Sequence, residues 1–164
     1  MLKNQTIEKL RDMKLKAMAQ MLSEPNPSDL ELSFEERLGL MVEKEWMAKK
    51  NSKIKRLLRN ANLGLNACIE DIEYSSNRAI DKQSILELAS CGFIEKSLNI
   101  ITTGKTGSGK TYLICAFGHN ACRKGYTVRY YRIPELLLEI QDAKAHNRYS
   151  RFMKWLQSTH LLIL

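Results

Sequence analysis

Eight consecutive residues, Gly104-Lys-Thr-Gly-Ser-Gly-Lys-Thr111, concentrate the residue types able to do chemistry in this 164-residue chain. Three glycines let a backbone curl with its amides turned inward, through dihedral angles that a side chain forbids. Such amides, together with the positive end of a helix beginning at Lys110, form a nest for phosphate oxygens. Lys110 adds a point charge that reaches the β and γ phosphates of a nucleoside triphosphate, and Thr111 adds a hydroxyl for Mg2+. The run fits the Gly-x4-Gly-Lys-Ser/Thr pattern. An ordinary strand-to-helix turn does not explain three glycines followed by Lys-Thr. The candidate nucleotide-binding residues are Gly104, Lys105, Thr106, Gly107, Ser108, Gly109, Lys110, Thr111 and the adjoining Tyr112. Lys110 is the candidate catalytic residue, Thr111 the candidate metal contact, and Lys105 is expected to face solvent.

The flanking sequence supplies the elements such a loop requires. Leu98–Thr103 reads as a strand, and a helix follows from Lys110 to about Lys124 with Leu113, Ala116, Phe117 and Ala121 on one side. Gly125 ends that helix, and Thr127–Ile133, rich in β-branched and aromatic residues, reads as a second strand. Strand, helix and strand at this spacing imply a βαβ unit in a parallel sheet with a right-handed crossover. Pro134 is placed to open a helix running to Ala145. Another helix, about Ser150 to Gln157, is expected to bury Phe152, Met153, Trp155 and Leu156, and Leu161–Leu164 begins a third, fully buried strand. Hydrolysis needs a carboxylate on the metal's second side, carried at the end of a neighbouring strand. No Asp or Glu follows Leu161–Leu164, so these residues are expected to bind the triphosphate without cleaving it.

Upstream, the pattern is helical. Thr6 is expected to cap a first helix with Ile7, Leu10, Met13, Ala17, Met18, Met21 and Leu22 on its apolar face, ending at Ser23-Glu-Pro-Asn-Pro-Ser-Asp29. Ser33 with Glu36 forms a capping box for a second helix. Its apolar stripe is Phe34, Leu38, Met41, Val42 and Trp46, continued by Ile54, Leu57 and Leu58 beyond a bend expected at Asn51-Ser52. Asn62–Ser76 reads as irregular, acidic around Glu70–Glu73. Asp81 caps a short helix closed by Gly92.

Charge is unevenly spread. The chain holds 26 Lys+Arg against 18 Asp+Glu, a net +8, and residues 99–164 carry 10 basic and 3 acidic residues, seven of the eight net charges. That favours a polyanionic partner, nucleotide or nucleic acid. Lys49, Lys50, Lys53, Lys55, Arg56 and Arg59 stand in a stretch with no acidic residue, either a DNA-backbone face or a solvated helix face. Cys68, Cys91, Cys115 and Cys122 lack Cys-x-x-Cys or zinc-ligand spacing and read as buried thiols of a reducing cytosol. The N-terminus has no apolar signal segment, and no apolar run approaches the roughly 20 residues of a membrane span. A cytoplasmic location without membrane association is the expectation.

Three segments besides the loop carry a resemblance: Leu32-Ser-Phe-Glu-Glu-Arg-Leu-Gly-Leu40, Ala67-Cys-Ile-Glu-Asp-Ile-Glu-Tyr74 and Ala121-Cys-Arg-Lys-Gly-Tyr-Thr-Val-Arg-Tyr130. From about Leu22 to Leu164 the chain closely resembles the IstB-like ATP-binding proteins, transposition helper ATPases of bacterial insertion sequences, related to DnaC-type helicase loaders within the AAA+ class. The resemblance implies an α/β fold: a P-loop NTPase core of the AAA+ type with a parallel sheet, truncated after its third strand, behind an N-terminal α-helical domain. The domains would be 1–75 and 76–164. It implies ATP and Mg2+ as cofactors, assembly on DNA as a homo-oligomer, and a cognate transposase as partner. Family members continue past the Leu161–Leu164 strand with paired acids, a sensor residue and an arginine acting across subunits, which are absent here. A further strand would then lie between Leu98–Thr103 and Leu161–Leu164. Without it the chain is expected to be marginally stable or to close the gap by pairing those two segments directly. A replicative helicase loader and a non-enzymatic remnant that binds DNA or a partner are the alternative functions.

Overall fold

The computed structural model describes residues 2–74 and 81–164. The expected domain boundary at 75/76, and the end of the expected irregular stretch, lie outside them. The chain folds as two compact units, Met1–Lys53 and Ile54–Leu164.

In the first unit α1 (Leu2–Asp12) and α2 (Lys16–Ser23) pack through Ile7, Leu10 and Ala19, with Leu15, Met18 and Leu22 against them. A single helix was expected here. Lys14 takes a left-handed conformation, φ 59°, and the Leu15 amide donates back to the Leu10 carbonyl, so the chain reverses and folds the two halves together. Burying both apolar faces in one contact outweighs the propensity of a continuous helix. A long helix, α3 (Phe34–Ala61), follows. Its capping box forms as expected: the Ser33 amide donates to Glu36 Oε2 at 2.9 Å and the Glu36 amide to Ser33 Oγ at 3.3 Å. The helix runs without a break through Asn51-Ser52, where a bend is expected. Neither residue removes a backbone donor, as a proline would. Glu45, buried, accepts the Ala17 and Met18 amides at 2.7 and 3.2 Å. It caps α2, which has no side-chain cap of its own.

The second unit is built around α6 (Lys110–Arg123), with Cys115, Ala116, Phe117, Gly118, Ala121 and Cys122 all buried. Leu57, Ala61, Cys91, Ala121, Cys122, Val128 and Ile163 make its main core. Two short strands, β1 (Val128–Tyr130) and β2 (Leu161–Ile163), pair in parallel with Val128 opposite Leu161 and Tyr130 opposite Ile163. Between them run α7 (Ile133–Ala145), opened by Pro134, and α8 (Tyr149–Gln157). Gly118 brings α6 close to the sheet: a Cβ there would stand 2.8 Å from Ile163 Cδ1 and 2.8 Å from Leu63 Cδ2. The molecule is thus mostly helical with a small parallel sheet, an α/β arrangement of P-loop type.

Four expectations need correction in this unit. Leu98–Thr103 is not a strand, and Ile101 is 86% exposed. Nor does this segment pair with β2; a cavity of 490 Å³ separates them, lined by Leu98, Asn99, Ile100 and Thr102 on one side and Leu161–Leu164 on the other. A lone apolar segment without a hydrogen-bonding neighbour gains no ladder. In α4 (Lys82–Ala89), capped by the Asp81 carboxylate as expected, the left-handed residue after the helix is Cys91, φ 65°, and Gly92 instead begins α5 (Gly92–Glu95). Burial of Cys91, and the Asn120 side-chain amide donating to its Sγ at 3.6 Å and to the Ala89 carbonyl at 2.6 Å, hold that turn. Finally, Trp155 is exposed and Phe152, Met153 and Leu156 only half-buried. The Arg129 guanidinium lies 4.6 Å from the Trp155 ring centre, a cation–π contact that suits a ring at the surface.

Candidate nucleotide site

The loop Gly104–Gly109 leads into α6, whose N-cap is Gly109 at φ 87°, with no side chain capping it. That left-handed turn is open to glycine at no steric cost, and it leaves the first-turn amides of a 14-residue helix for an anion. At Gly104, φ 155°, a Cβ would stand 3.0 Å from Ser108 Oγ, a tight contact that the serine side chain would have to relieve. The Ser108 amide donates to the Lys105 carbonyl at 3.2 Å and fixes the turn. Lys110 Nζ donates to the Gly104 carbonyl at 2.8 Å and the Lys105 carbonyl at 2.7 Å. The ammonium is thereby held across the mouth of the loop on two neutral acceptors. Lys105 is exposed, as expected.

Two cavities flank the first turn of α6. The larger, of 490 Å³, takes in Lys110 and Thr111 along with Ile114 and Phe117, and no Asp or Glu side chain is among its lining residues. The smaller, of 330 Å³, is lined by Asp71, Ile72, Glu73, Ser108, Gly109, Tyr112 and Leu113. The segment before it is tied down at two points: Tyr112 Oη donates to the Cys68 carbonyl at 3.4 Å, and Arg123 Nη1 pairs with Glu70 Oε1 at 2.7 Å. Its own backbone amide and then Arg123 hold the Glu70 carboxyl below its ordinary range. The sequence reading placed Tyr112 at the site but not Asp71, Ile72 or Glu73. The signal available was the acidic run Glu70–Glu73, and only the fold brings it against the loop.

The six cations proposed for DNA all lie exposed on α3: Lys49, Lys50 and Lys53 in the first unit, Lys55, Arg56 and Arg59 in the second. Lys49 stands 4.0 Å from Glu45, and Lys50 sits over the Trp46 ring at 4.8 Å. Among the described residues, no helix is long and apolar enough to cross a membrane.

An uncapped helix start behind a glycine loop, with its lysine held across the loop, has the geometry that a phosphate group can enter. Residues 8–164 match the family model described as IstB-like ATP binding protein. The chain belongs to this family. It is 36% identical over 167 residues to the insertion sequence IS1162 putative ATP-binding protein of Pseudomonas fluorescens, covering all of this chain and 72% of that protein. It is 37% identical over 166 residues to the putative insertion sequence ATP-binding protein y4pL of Sinorhizobium fredii, covering 68% of it. The insertion sequence IS21 putative ATP-binding protein of Pseudomonas aeruginosa is 31% identical over 134 residues, which make up 82% of this chain and 51% of that protein. An IstB-like chain of this kind is expected to bind ATP, and the loop geometry suits a polyphosphate: first-turn amides without a side-chain cap and a lysine ammonium held on two neutral carbonyls.

Proposed function

We propose that the chain is an ATP-binding helper of transposition, holding Mg2+ and ATP at Gly104–Tyr112 and taking DNA and a transposase as partners in the cytoplasm, as a homo-oligomer. The observation that carries this is Lys110 poised over the glycine loop at the uncapped start of α6. Lys110 would exchange the Gly104 and Lys105 carbonyls for phosphate oxygens, a gain because a charge-assisted hydrogen bond is roughly twice as strong as a neutral one. The first-turn amides would take the remaining oxygens, and the Thr111 hydroxyl would hold Mg2+, which supplies further neutralisation of the polyphosphate when bound. Tyr112, Ile72 and Leu113 give the smaller cavity an apolar and aromatic lining suited to a purine ring.

Cleavage would need a carboxylate beside Lys110 and Thr111. Because the cavity next to them is lined by apolar residues, Asn99 and Thr102, the 164 residues are proposed to bind ATP without turning it over. Exposed cations of α3 would take the DNA backbone, an attraction independent of base sequence. Calorimetry with Mg2+ tests the reading: ATP is expected to bind, Lys110→Ala to weaken it by about tenfold or more, and phosphate release to stay at background. Absence of heat with folded protein would overturn the site. Tyr112→Ala is expected to weaken ATP while leaving inorganic tripolyphosphate binding unchanged, which isolates the base pocket from the loop.

A further inference from the structure

One wall of the smaller cavity is a segment too short to hold its own place. After Cys68 the chain makes a single 3-10 turn, Ile69–Asp71, in which the Asp71 amide donates to the Cys68 carbonyl at 3.3 Å and the Ile72 amide to the Ile69 carbonyl at 3.2 Å. Asp71, Ile72 and Glu73 then line the cavity, the two acids exposed and Ile72 half-buried. One such turn is not stable by itself, so α6 must position it. Ala67 is buried with Cys115 and Ala116, and Ile69 packs against them. The Tyr112 hydroxyl reaches the Cys68 carbonyl only at 3.4 Å, a long bond. The short contact is made by the turn itself: Glu70 Oε1 accepts from Arg123 Nη1 at 2.7 Å.

Arg123 closes α6 at the end opposite Lys110, about 20 Å along the axis of a 14-residue helix. Its guanidinium is therefore out of reach of a phosphate held by the loop. The Arg123 and Glu70 side chains are 48 and 62% exposed, and an exposed ion pair adds little to the stability of a fold. Its consequence is local instead. The pair fixes Glu70, and the next two residues in the chain, Asp71 and Ile72, are wall residues of the cavity. A wall ordered before the ligand arrives lowers the entropy lost on binding. On the proposed reading of this site as one for ATP, we infer that Arg123 is a positioning residue for the nucleotide base, holding the cavity wall through Glu70 without touching the ligand. The phosphate loop does not depend on that wall, so base and polyphosphate respond differently to its loss.

The test is calorimetry on the full chain with Mg2+ and two probes, ATP and inorganic tripolyphosphate, at about 0.15 M salt, where charges more than about 8 Å apart are screened. Arg123→Ala and Glu70→Ala should each weaken ATP about threefold, the size of effect that an exposed pair gives, and leave tripolyphosphate unchanged. The double variant should be no weaker than either single one, since both remove the same contact. Arg123→Lys keeps a donor cation and should bind ATP more tightly than Arg123→Ala. Unchanged tripolyphosphate binding reports an intact loop and α6, so a damaged fold cannot imitate the result. Single variants that bind ATP as the parent does overturn the inference, as do equal losses of both probes, effects that add in the double variant, or an Arg123→Lys no better than Arg123→Ala. Those results leave the ATP site standing if the parent binds both probes; a parent that binds neither overturns the site and the inference together.

Discussion

Lys110 is the residue on which the proposed nucleotide binding turns, and its two present acceptors are both backbone carbonyls of its own loop. Lys110→Arg is therefore expected to bind ATP more weakly than the parent despite keeping the charge, because a planar fork does not fit a contact made for a point charge; calorimetry against Lys110→Ala orders the three proteins. Among the cysteines, burial raises Cys91 and pushes Cys122 from 9.0 up to about 11. Both thiols should stay protonated and unreactive toward a thiol reagent at pH 8, with half-buried Cys68 reacting first. Because the folded protein holds the Cys122 proton more tightly than the unfolded chain, the stability that this thiol contributes is complete below pH 9 and is lost as pH rises toward 11. Denaturant midpoints measured from pH 8 to 10.5 should fall across that window.

At the scale of elements, one contact inside each unit has a measurable consequence. Glu45 supplies from α3 the cap that α2 lacks, so Glu45→Ala should destabilise the first unit by about 1–2 kcal/mol, the usual loss on removing a cap. Glu45→Gln, which keeps an acceptor oxygen, should recover part of that in the same urea titration. Gly118 is where α6 lies against Ile163 and Leu63. Gly118→Val should destabilise the second unit by about 1–3 kcal/mol, an overpacking effect measured by thermal unfolding. The existence of most elements was legible in the sequence: the Ser33–Glu36 box, the Asp81 cap, Pro134 at the start of α7 and the β-branched run at β1 are local hydrogen-bond and dihedral preferences. The reversal at Lys14 and the left-handed Cys91 were not legible, because each depends on what packs against it.

At the scale of the molecule, the sheet among the described residues has two three-residue strands, with a cavity of 490 Å³ beside one of them. Two paired strands alone are marginal in water. The chain is accordingly expected to unfold below about 60 °C in a scanning calorimeter, and a higher cooperative transition would show that the helices compensate for the missing ladder. ATP with Mg2+ should raise that transition, by on the order of 2.7 kcal/mol of stabilisation at a hundredfold excess over Kd. In Lys110→Ala the rise should largely vanish.

The glycine loop, its lysine and threonine, and the family membership were written in the sequence, since a nest of adjacent backbone amides, the form proposed for this loop, needs only local geometry. The tertiary structure decided what surrounds it. It brought Asp71–Glu73 to the loop from more than thirty residues upstream, withheld a strand at Leu98–Thr103, and left Phe34, Leu38, Val42 and Trp46 of α3 exposed. Strand formation and burial both require a neighbour, and a neighbour is a property of the fold that no local pattern of residues contains.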